Sequence, residues 1–280
     1  MHLLEKKIVQ GLLPKRQAYS HKGDYGRVLL IGGNEQMGGA IILAASATVA
    51  SGAGLVTVAT HSCNHAALHA RLPEAMVLDI KDQAQLMAAL QATDVVVVGP
   101  GLGRTGADLL LLSTICSSLT AEQSLIIDGD AITLLAENPL PQSKAFTVYT
   151  PHEKEWERLS GLPIDKQTVK NNQASQEQLN SVIVLKKHLT EIYFPQDVWQ
   201  NQSGTAAMAT GGMGDTLAGM LGGFLAQMHN KKSAILAAVF LHSHISDLIA
   251  ETSYVTLPSE IIKRIPKAMK EFESTLEVVL

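Results

Sequence analysis

Cysteine is scarce in this sequence, whose 280 residues include only Cys63 and Cys116. Two cysteines are too few for the disulfide framework of a small secreted protein, and their spacing is not the C-x-x-C pattern of zinc or redox sites. We therefore expect two buried thiols in a reducing cytosol, which favours a cytoplasmic location. Glu5, Lys6 and Lys7 interrupt the first apolar residues, so we expect no signal peptide.

Charge is also sparse, and neither sign dominates. Charged residues make up 17% of the chain, and 22 basic against 26 acidic residues give a net charge of −4. Proteins that coat nucleic acid usually have a basic surface, so the sequence predicts no nucleic-acid partner. Small nucleotides are not excluded, because backbone N–H groups hold them without net charge. Hydrophobic residues make up 46%, enough for a large core, which excludes wholesale disorder.

Residues 36–70 contain no Asp, Glu, Lys or Arg, which raises the question of a membrane span. The stretch is longer than the ~20 residues that a spanning helix needs. Small residues dominate it, however, and the segment 51–54 (SGAG) interrupts it. We predict a buried small-residue helix over 39–50, a buried strand over 55–59, and no membrane span.

Short apolar, β-branched runs alternate with helical segments. The predicted strands are 27–31, 55–59, 75–78, 95–98, 124–127, 146–148, 182–185 and 191–194. The other predicted helices are 83–91, 107–118, 131–136, 151–159, 216–227, 233–250 and 259–272. The run 95–98 (VVVV) is apolar on both faces, as in a central parallel strand covered by helices. The alternation predicts a doubly wound α/β fold, one domain over residues 1–280, with a polar surface excursion at 161–180.

Glycine-rich or polar segments follow four of the predicted strands. These segments are GG (32–33), GPGLG (99–103), DGD (128–130) and TPH (150–152). A tight turn would explain the glycine after any one strand. In an open parallel sheet, however, ligands bind outside the carboxyl ends of the strands. Four such ends together favour a binding site at that edge of the sheet.

The segment TGGMGD (210–215) runs directly into an apolar helical pattern from Thr216. Glycines let the backbone approach an anion, and a helix N-terminus presents unpaired N–H groups to it. Asp215 is then either an acid that stabilises the helix N-terminus or a general base that faces a phosphoryl acceptor. No Gly-Lys-Ser/Thr follows, which excludes a P-loop, and no strand directly precedes the segment, which argues against a dinucleotide fingerprint.

Helix capping explains some of the polar residues at the strand ends. Thr150 is expected to form a capping box with Glu153, and Asp130 is expected to cap the next helix. Capping alone does not explain Asp128 or His152.

In chain order, these motifs resemble the ADP-dependent NAD(P)H-hydrate dehydratases of the ribokinase-like superfamily. The matching segments are KGDYGRVLLIGG (22–33), GGAIILAASATVASGAGLVTVAT (38–60), PE (73–74), VVVVGPGLGR (95–104), IIDGDAITLL (126–135), TPHEKEWERL (150–159), VIVLKKHLT (182–190), MATGGMGDTLAGML (208–221) and AAVFLHSHISD (237–247). GGMGD alone indicates only the superfamily, whereas GPGLG, TPHEKE and the small-residue first helix indicate this family. The resemblance implies a three-layer sandwich with a central, mostly parallel sheet.

The resemblance implies repair of a hydrated nicotinamide cofactor, NAD(P)H hydrate, with ADP or ATP as co-substrate and Mg²⁺ as cofactor. In the implied mechanism the C6 hydroxyl oxygen attacks the terminal phosphate of ADP, AMP is released, and phosphate then leaves the ring. Only residues 1–26 precede the first predicted strand, so we expect no N-terminal epimerase domain and an epimerase encoded separately. The family also implies a homo-oligomer, a tetramer by analogy.

The resemblance also implies roles for individual residues. Asp215 is the implied catalytic base, and Glu155 would position magnesium through water. The implied hydrate-pocket residues are Ala40, Gly101, Gly103, His152 and Asp215. The implied nucleotide-binding residues are Lys186, Lys187, His188, Leu189, Thr190, Gly212, Met213 and Gly214. The chain departs from the family at Lys187, where many members have Gly, and at Gly129, where they have Ala.

Two other functions are compatible with part of the pattern. A small-molecule alcohol kinase of the same superfamily, of thiazole or pyrimidine type, would use the same glycine-rich anion site and Asp215, but its phosphorylated product would persist. His152 and the GPGLG loop favour the dehydratase. A non-catalytic nucleotide-binding regulator would not need the carboxylate of Asp215.

Overall fold

A ten-stranded sheet forms the centre of the computed structural model, which describes residues 1–274. Its strands are β1 (His2–Leu4), β2 (Arg27–Ile31), β3 (Leu55–Thr60), β4 (Met76–Asp79), β5 (Val95–Val98), β6 (Ser124–Ile127), β7 (Phe146–Tyr149), β8 (Val182–Leu185), β9 (Glu191–Tyr193) and β10 (Val198–Asn201). The spatial order is β1-β10-β9-β8-β7-β6-β5-β2-β3-β4. Neighbours from β4 to β8 are parallel, and β9 is antiparallel to both β8 and β10.

Helices cover both faces of this sheet. They are α1 (Lys6–Val9), α2 (Gly38–Ala50), α3 (His65–Arg71), α4 (Gln83–Ala92), α5 (Gly106–Ser118), α6 (Gly129–Glu137), α7 (Glu153–Ser160), α8 (Val169–Leu179), α9 (Met213–Gln227), α10 (Lys231–Ala250) and α11 (Pro258–Glu271). Side chains alternate between the faces, so Val95 and Val97 join the core under α2, α9 and α10. Val96 and Val98 join the core under α4, α5 and α6. The expected three-layer α/β architecture is therefore confirmed.

The predicted strands are confirmed, four of them with their exact limits and the others within one residue at either end. The sequence analysis missed β1 and β10, which lie at the edge of the sheet away from β4. β1 and β10 are short and pair with each other in parallel, and β1 precedes the strand that was expected to be first. Unlike the short central strands, β1 (HLL) and β10 (VWQN) are not continuous apolar runs, because edge strands are only partly buried.

The stretch without charged residues, 36–70, contains the predicted helix and strand, α2 and β3, within one residue of the expected limits, and most of their side chains are buried or half-buried. Its small residues let two helices pack closely. A Cβ on Gly219 of α9 would lie 2.0 Å from the Ala44 carbonyl oxygen of α2. The Thr48 hydroxyl donates to the Gly219 carbonyl at 2.9 Å. Backbone approach of this kind explains the Ala- and Gly-rich composition.

One expectation is incomplete and one is wrong. Residues 161–180 lie mostly at the surface as expected, but they contain α8, whose Asn172 and Gln176 side chains are buried. Cys63 is exposed, whereas Cys116 is buried as expected. Burial raises the pKa of the Cys116 thiol to about 11.

The helix α10 is the one described helix that is long and apolar enough to cross a membrane by length and composition. Its most apolar window is 72% buried inside the fold. A core helix meets the same criteria, so this composition follows from packing against the sheet.

The sheet changes direction between β2 and β5, because the chain moves one way from β2 through β3 to β4 and the other way from β5 to β8. In open α/β sheets such a switch point opens a crevice at the carboxyl ends of the strands. The loops 32–33 and 99–103 leave β2 and β5 at this place.

Candidate active site

The two glycine-rich loops form one wall of the crevice, which we call the glycine wall (residues 32–33 and 99–103). They are joined by backbone hydrogen bonds from Gly33 to the Pro100 carbonyl, 2.9 Å, and from Asn34 to the Gly101 carbonyl, 2.7 Å. A Cβ on Gly32 would lie 2.2 Å from the Pro100 carbonyl oxygen. The glycines therefore permit backbone-to-backbone contact in addition to forming turns.

The implied hydrate-pocket residues are only partly brought together. A Cβ on Gly101 would lie 3.2 Å from the Ala40 Cβ, so these two residues are neighbours. Gly103 follows on the same loop, and its N–H donates to Asp130 Oδ2 at 3.0 Å. His152 lies at the start of α7, on the wall of a separate cavity.

Asp130 braces the glycine wall and does not cap a helix as expected. Its carboxylate accepts from Gly103 N–H and, at 2.6 Å, from Arg104 Nε. Helix α6 begins earlier than predicted, at Gly129, so Asp130 lies within the helix. Gly129 has φ +52°, and that left-handed conformation lets the chain turn into α6 directly after β6.

The adjoining wall of the crevice, the charged wall (Asp128, Lys186 and Asp215), is built from side chains. Asp128 is 2% exposed and accepts from Thr150 Oγ1 at 2.6 Å and Lys186 Nζ at 2.7 Å. A Cβ on Gly214 would lie 3.1 Å from Lys186 Nζ, so the ammonium group lies against the first turn of α9. Residues that are far apart in sequence thus meet at one point.

The charges of this wall determine the protonation of its members. Burial alone would lower the pKa of Lys186, but Asp128, Glu155 and Asp215 outweigh it and hold that pKa above its ordinary value. Burial and the charges of Asp128 and Asp130 raise the pKa of Asp215 to about 6, against the opposing effect of Lys186. A carboxyl group with this pKa is suited to accept a proton near neutral pH.

The N-terminus of α9 lies where the sequence predicts an anion site. The helix begins at Met213, three residues before the expected start, after Gly212 in the left-handed conformation with φ +93°. No side chain caps it, and the first N–H groups of a helix have no partner within the helix. These amides and the helix dipole favour a bound anion beside Asp215.

The expected capping box at Thr150 is wrong by two residues. His152 is the N-cap of α7, and its Nδ1 accepts from Lys154 N–H at 3.1 Å and Glu155 N–H at 3.2 Å. Glu155 Oε2 accepts from His152 N–H at 2.8 Å. The segment before His152 still belongs to the sheet edge, because the Pro151 carbonyl accepts from Lys186 N–H at 2.7 Å. Thr150 is instead hydrogen-bonded to the buried carboxylate of the charged wall.

A cavity of about 720 Å³, which we call the first cavity, opens beside the charged wall. All five residues of the loop 186–190 line it, together with His152, Met213 and Gly214. Sequence analysis missed the segment 203–209 and His242, which form another part of its lining. The segment follows β10, which was not predicted, so no sequence pattern placed it at the site. Burial lowers the pKa of His242 to about 4, so this imidazole is neutral at pH 7.

Lys187 ends a chain of buried hydrogen bonds behind the first cavity. Its Nζ lies 3.2 Å from Glu191 Oε1, and Tyr193 donates its hydroxyl to the other oxygen of that carboxylate. Asn172 Nδ2 donates to the Tyr193 hydroxyl at 2.9 Å, and Trp156 Nε1 donates to Asn172 Oδ1 at 2.8 Å. The lysine that departs from the family pattern is therefore fixed by a buried carboxylate.

Within residues 1–274, no group of three or more His, Cys, Asp or Glu side chains is arranged to hold a metal ion directly. Glu155, the implied magnesium residue, is 7% exposed and is engaged with His152. The charge of Glu155 acts on Lys186, so this carboxylate lies near the charged wall.

Comparison with known proteins identifies the family of this chain. A family model described as NAD(P)H-hydrate dehydratase matches residues 28–267. The ADP-dependent (S)-NAD(P)H-hydrate dehydratase of Lactiplantibacillus plantarum is 51% identical over 272 residues, which cover 97% of this chain and 98% of that protein.

Two solved structures extend the comparison to the fold. A ribokinase-like superfamily protein from Enterococcus faecalis is 45% identical with a TM-score of 0.96, over 98% of this chain and 97% of that one. The ADP/ATP-dependent NAD(P)H-hydrate dehydratase of Bacillus subtilis, co-crystallised with ATP and Mg²⁺, is 33% identical with a TM-score of 0.87. The match covers 97% of this chain and 99% of that one. This chain therefore has the ribokinase-like fold and belongs to the NAD(P)H-hydrate dehydratase family.

Proposed function

We propose that this protein dehydrates (6S)-NAD(P)H hydrate to NAD(P)H and uses ADP as co-substrate, with AMP and phosphate as the other products. The observation that carries the proposal is the juxtaposition of Asp215, the uncapped N-terminus of α9 and Lys186 beside the first cavity. A base, an anion site and a cation are the groups that phosphoryl transfer requires. The names of the curated relatives state the same reaction class.

In the proposed mechanism, Asp215 accepts the proton of the C6 hydroxyl as its oxygen bonds to the terminal phosphorus of ADP. The bond from that phosphorus to AMP breaks. The C6–O bond then breaks as the ring nitrogen donates its electron pair, phosphate leaves, and loss of the C5 proton restores the dihydronicotinamide. Phosphate is a much better leaving group than hydroxide, which is why the co-substrate is needed.

The two parts of the adenine nucleotide, its terminal phosphate and the remainder, are assigned to different segments of the site. We assign the terminal phosphate to the backbone N–H groups of Gly212, Met213 and Gly214. The adenine nucleotide is assigned to the loop that runs from Lys186 to Thr190. That loop comprises Lys186, Lys187, His188, Leu189 and Thr190, all of which line the first cavity. Lys186 already lies against the first turn of α9, close to the position assigned to the phosphate.

We assign the hydrated nicotinamide to Ala40, Gly101, Gly103 and His152. Contact between Ala40 and Gly101 supports this pocket. His152 lies on the side of the first cavity, so it would contact the substrate where the two ligands meet.

Mg²⁺ is the proposed cofactor. It prefers oxygen ligands and usually binds through one or two carboxylates together with substrate phosphates. The side chains near Lys186 fit this pattern, since Glu155 and Asp128 are carboxylates. An ion that is also bound by phosphates does not need three side chains as direct ligands. Glu155 would hold the ion through water, and the bound ion would neutralise charge on the phosphates. The Bacillus subtilis relative was crystallised with ATP and Mg²⁺.

We also propose a single domain, a homotetramer and a cytoplasmic location. The single central sheet supports the first proposal. The exposed apolar side chains Tyr254, Val255 and Leu257 offer surface for contact between subunits. The scarcity of cysteine, which has no disulfide framework, supports the cytoplasmic location. The curated relatives are named for the S form of the hydrate, so an epimerase encoded separately would supply that form from the other.

An absorbance assay that contains the purified protein, hydrated NADPH, Mg²⁺ and ADP tests the proposal directly. We expect the absorbance of reduced nicotinamide to return only when ADP is present, with one AMP and one phosphate formed per NADPH. Replacement of ADP by ATP measures the nucleotide preference. Tight nucleotide binding without any return of absorbance would contradict the proposal and favour the alcohol kinase of the same superfamily.

A further inference from the structure

The segment 203–209 forms one side of the first cavity, and the roles assigned above do not use it. The residues of the segment that line the cavity are Ser203, Gly204, Thr205, Ala206, Met208 and Ala209. The segment consists of loop and a single 3-10 turn, Ala206–Met208, and it leads from β10 towards the N-terminus of α9. A loop of this kind depends on contacts with its surroundings to keep one position.

A carboxylate on α10 holds the beginning of this segment. The Gly204 N–H donates to both carboxylate oxygens of Asp247, at 3.1 Å to Oδ1 and at 3.0 Å to Oδ2. A hydrogen bond to an ionised acceptor is stronger than one between two neutral groups. Glycine has the widest range of backbone conformations, so this bond restricts the residue of the segment that is intrinsically the most flexible.

Other hydrogen bonds hold the two ends of the segment. Just before it, the buried Asn201 donates from Nδ2 to Ser243 Oγ on α10 at 3.0 Å. The backbone N–H of Asn201 donates to the carbonyl of Thr190, the last residue of the loop assigned to the nucleotide, at 2.8 Å. Near the other end, the Thr256 N–H donates to the Ala207 carbonyl at 3.0 Å. Both ends are therefore held independently of the carboxylate.

One face of α10 makes these contacts with the segment. Ser243 and Asp247 are four positions apart, so their side chains lie on the same side of the helix. Ser243 lines the first cavity, and Asp247 is half-buried one turn further along. The same helix packs against α9, whose N-terminus is the proposed phosphate site. Through this face, the core of the fold determines where the segment lies.

We propose that Asp247 is a positioning residue for the adenine nucleotide, an inference that rests on the proposed function. It acts through Gly204, whose fixed position keeps the segment 203–209 at the spacing from the loop 186–190 that the nucleotide requires. Without the carboxylate, binding of ADP must also order the segment, which lowers affinity. The bond from Thr256 to Ala207 lies between Gly204 and α9, so the reacting groups keep their places.

Two substitutions of Asp247 separate the hydrogen bond from the size of the side chain. Asp247→Leu removes both acceptor oxygens, and we expect it to raise KM for ADP, and the Kd for ADP in equilibrium dialysis, about tenfold. It should change kcat at saturating ADP and KM for NADPH hydrate by less than about twofold. Asp247→Asn keeps one acceptor oxygen for the Gly204 N–H, so it should restore KM for ADP to within about threefold of the wild type.

Asp94→Leu is the matched control. The Asp94 carboxylate also accepts from a backbone N–H, that of Arg27 at 2.7 Å, but it does so at the start of β2, away from the carboxyl ends of the strands. Both leucine variants should lower Tm, and only Asp247→Leu should weaken ADP binding. If Asp247→Leu does not fold, Asp247→Ser, whose shorter side chain withdraws the acceptor from Gly204, replaces it with the same expected rise.

Three outcomes would overturn the inference and leave the proposed function intact. They are an unchanged Kd for ADP in Asp247→Leu, an equal rise in Asp94→Leu, and a failure of Asp247→Asn to restore the wild-type value. If the wild-type protein binds ADP but does not dehydrate NADPH hydrate, the proposed function itself is wrong, whereas the Kd values still test the role of Asp247.

Discussion

The two walls of the crevice are made in opposite ways. In the glycine wall, backbones touch, and a Cβ on Gly99 would lie 1.8 Å from the Asp128 carbonyl oxygen. In the charged wall, side chains meet, and the Asp128 carboxylate, 2% exposed, is neutralised by Lys186. One wall depends on missing side chains and the other on paired charges.

The glycine wall determines the shape of the crevice, and the charged wall determines its protonation chemistry. A substitution in the glycine wall forces backbone segments apart, so we expect it to damage the fold and activity together. A substitution of similar size and shape in the charged wall leaves packing intact but alters protonation, so we expect it to damage activity alone. The following experiments examine that division.

The largest effect is expected for Asp215→Asn in the charged wall. Loss of the proposed general base should lower kcat by about 10²- to 10⁴-fold while the far-UV circular dichroism spectrum stays unchanged. Glu260→Gln is a suitable control, because Glu260 is also an acid in the first turn of a helix but lies in α11. Retention of most activity by Asp215→Asn would show that another group accepts the proton.

The same variant should be more stable than the wild type at pH 7. The folded pKa of Asp215, about 6, is above its ordinary value of 3.8, so the folded state loses stability as pH rises through that range. Asparagine does not ionise and avoids this loss, which we expect to be about 1–3 kcal/mol in urea denaturation. Equal stability of the two proteins at pH 7 would contradict a raised pKa.

The next effect is expected for Gly99→Ala in the glycine wall. The Cβ would overlap the backbone of residue 128, and Gly99 has φ +123°, which alanine adopts only with strain. We expect a loss of about 2–4 kcal/mol in the free energy of unfolding. Gly106→Ala is the matched control, since a Cβ there meets no atom of the described residues within 4 Å. It should change stability by less than about 1 kcal/mol. Similar losses for the two variants would remove the contrast between the walls.

The smallest effect is a shift in the pH profile. The acid limb of kcat/KM, which reports the protein without ligands, should have its midpoint near pH 6 if Asp215 must be ionised. Lys186 lowers the pKa of Asp215, so Lys186→Gln should move this midpoint to higher pH by roughly one unit. An unmoved midpoint of kcat/KM would show that the two charges do not interact.

The glycine wall could be predicted from the sequence, and the charged wall only in part. Continuous apolar runs such as 95–98 identify the central strands, and the glycines follow them directly in the chain. The contacts of the charged wall join residues far apart in sequence, such as Lys186 and Asp128, which are 58 positions apart. No local pattern contains such a pair, so Asp128 was left unexplained and Thr150 was misassigned as a helix cap.

The lining at 203–209 was missed for a different reason. It depends on β10 (VWQN), a strand near the edge of the sheet that is only partly apolar and therefore has no continuous apolar run to reveal it. Resemblance to the family supplied the loop 186–190, whose residues share no motif that chemistry alone would select.

The buried hydrogen-bond chain behind the first cavity has an optical consequence. Trp156 is fully buried, and its indole N–H is linked through Asn172, Tyr193 and Glu191 to the ammonium group of Lys187. We expect a ligand that draws this ammonium away from Glu191 to alter the hydrogen bonds of the chain as far as the indole. Trp156 is thus an intrinsic fluorophore connected to the loop 186–190, and its emission wavelength is expected to shift when the first cavity is occupied, without any added label.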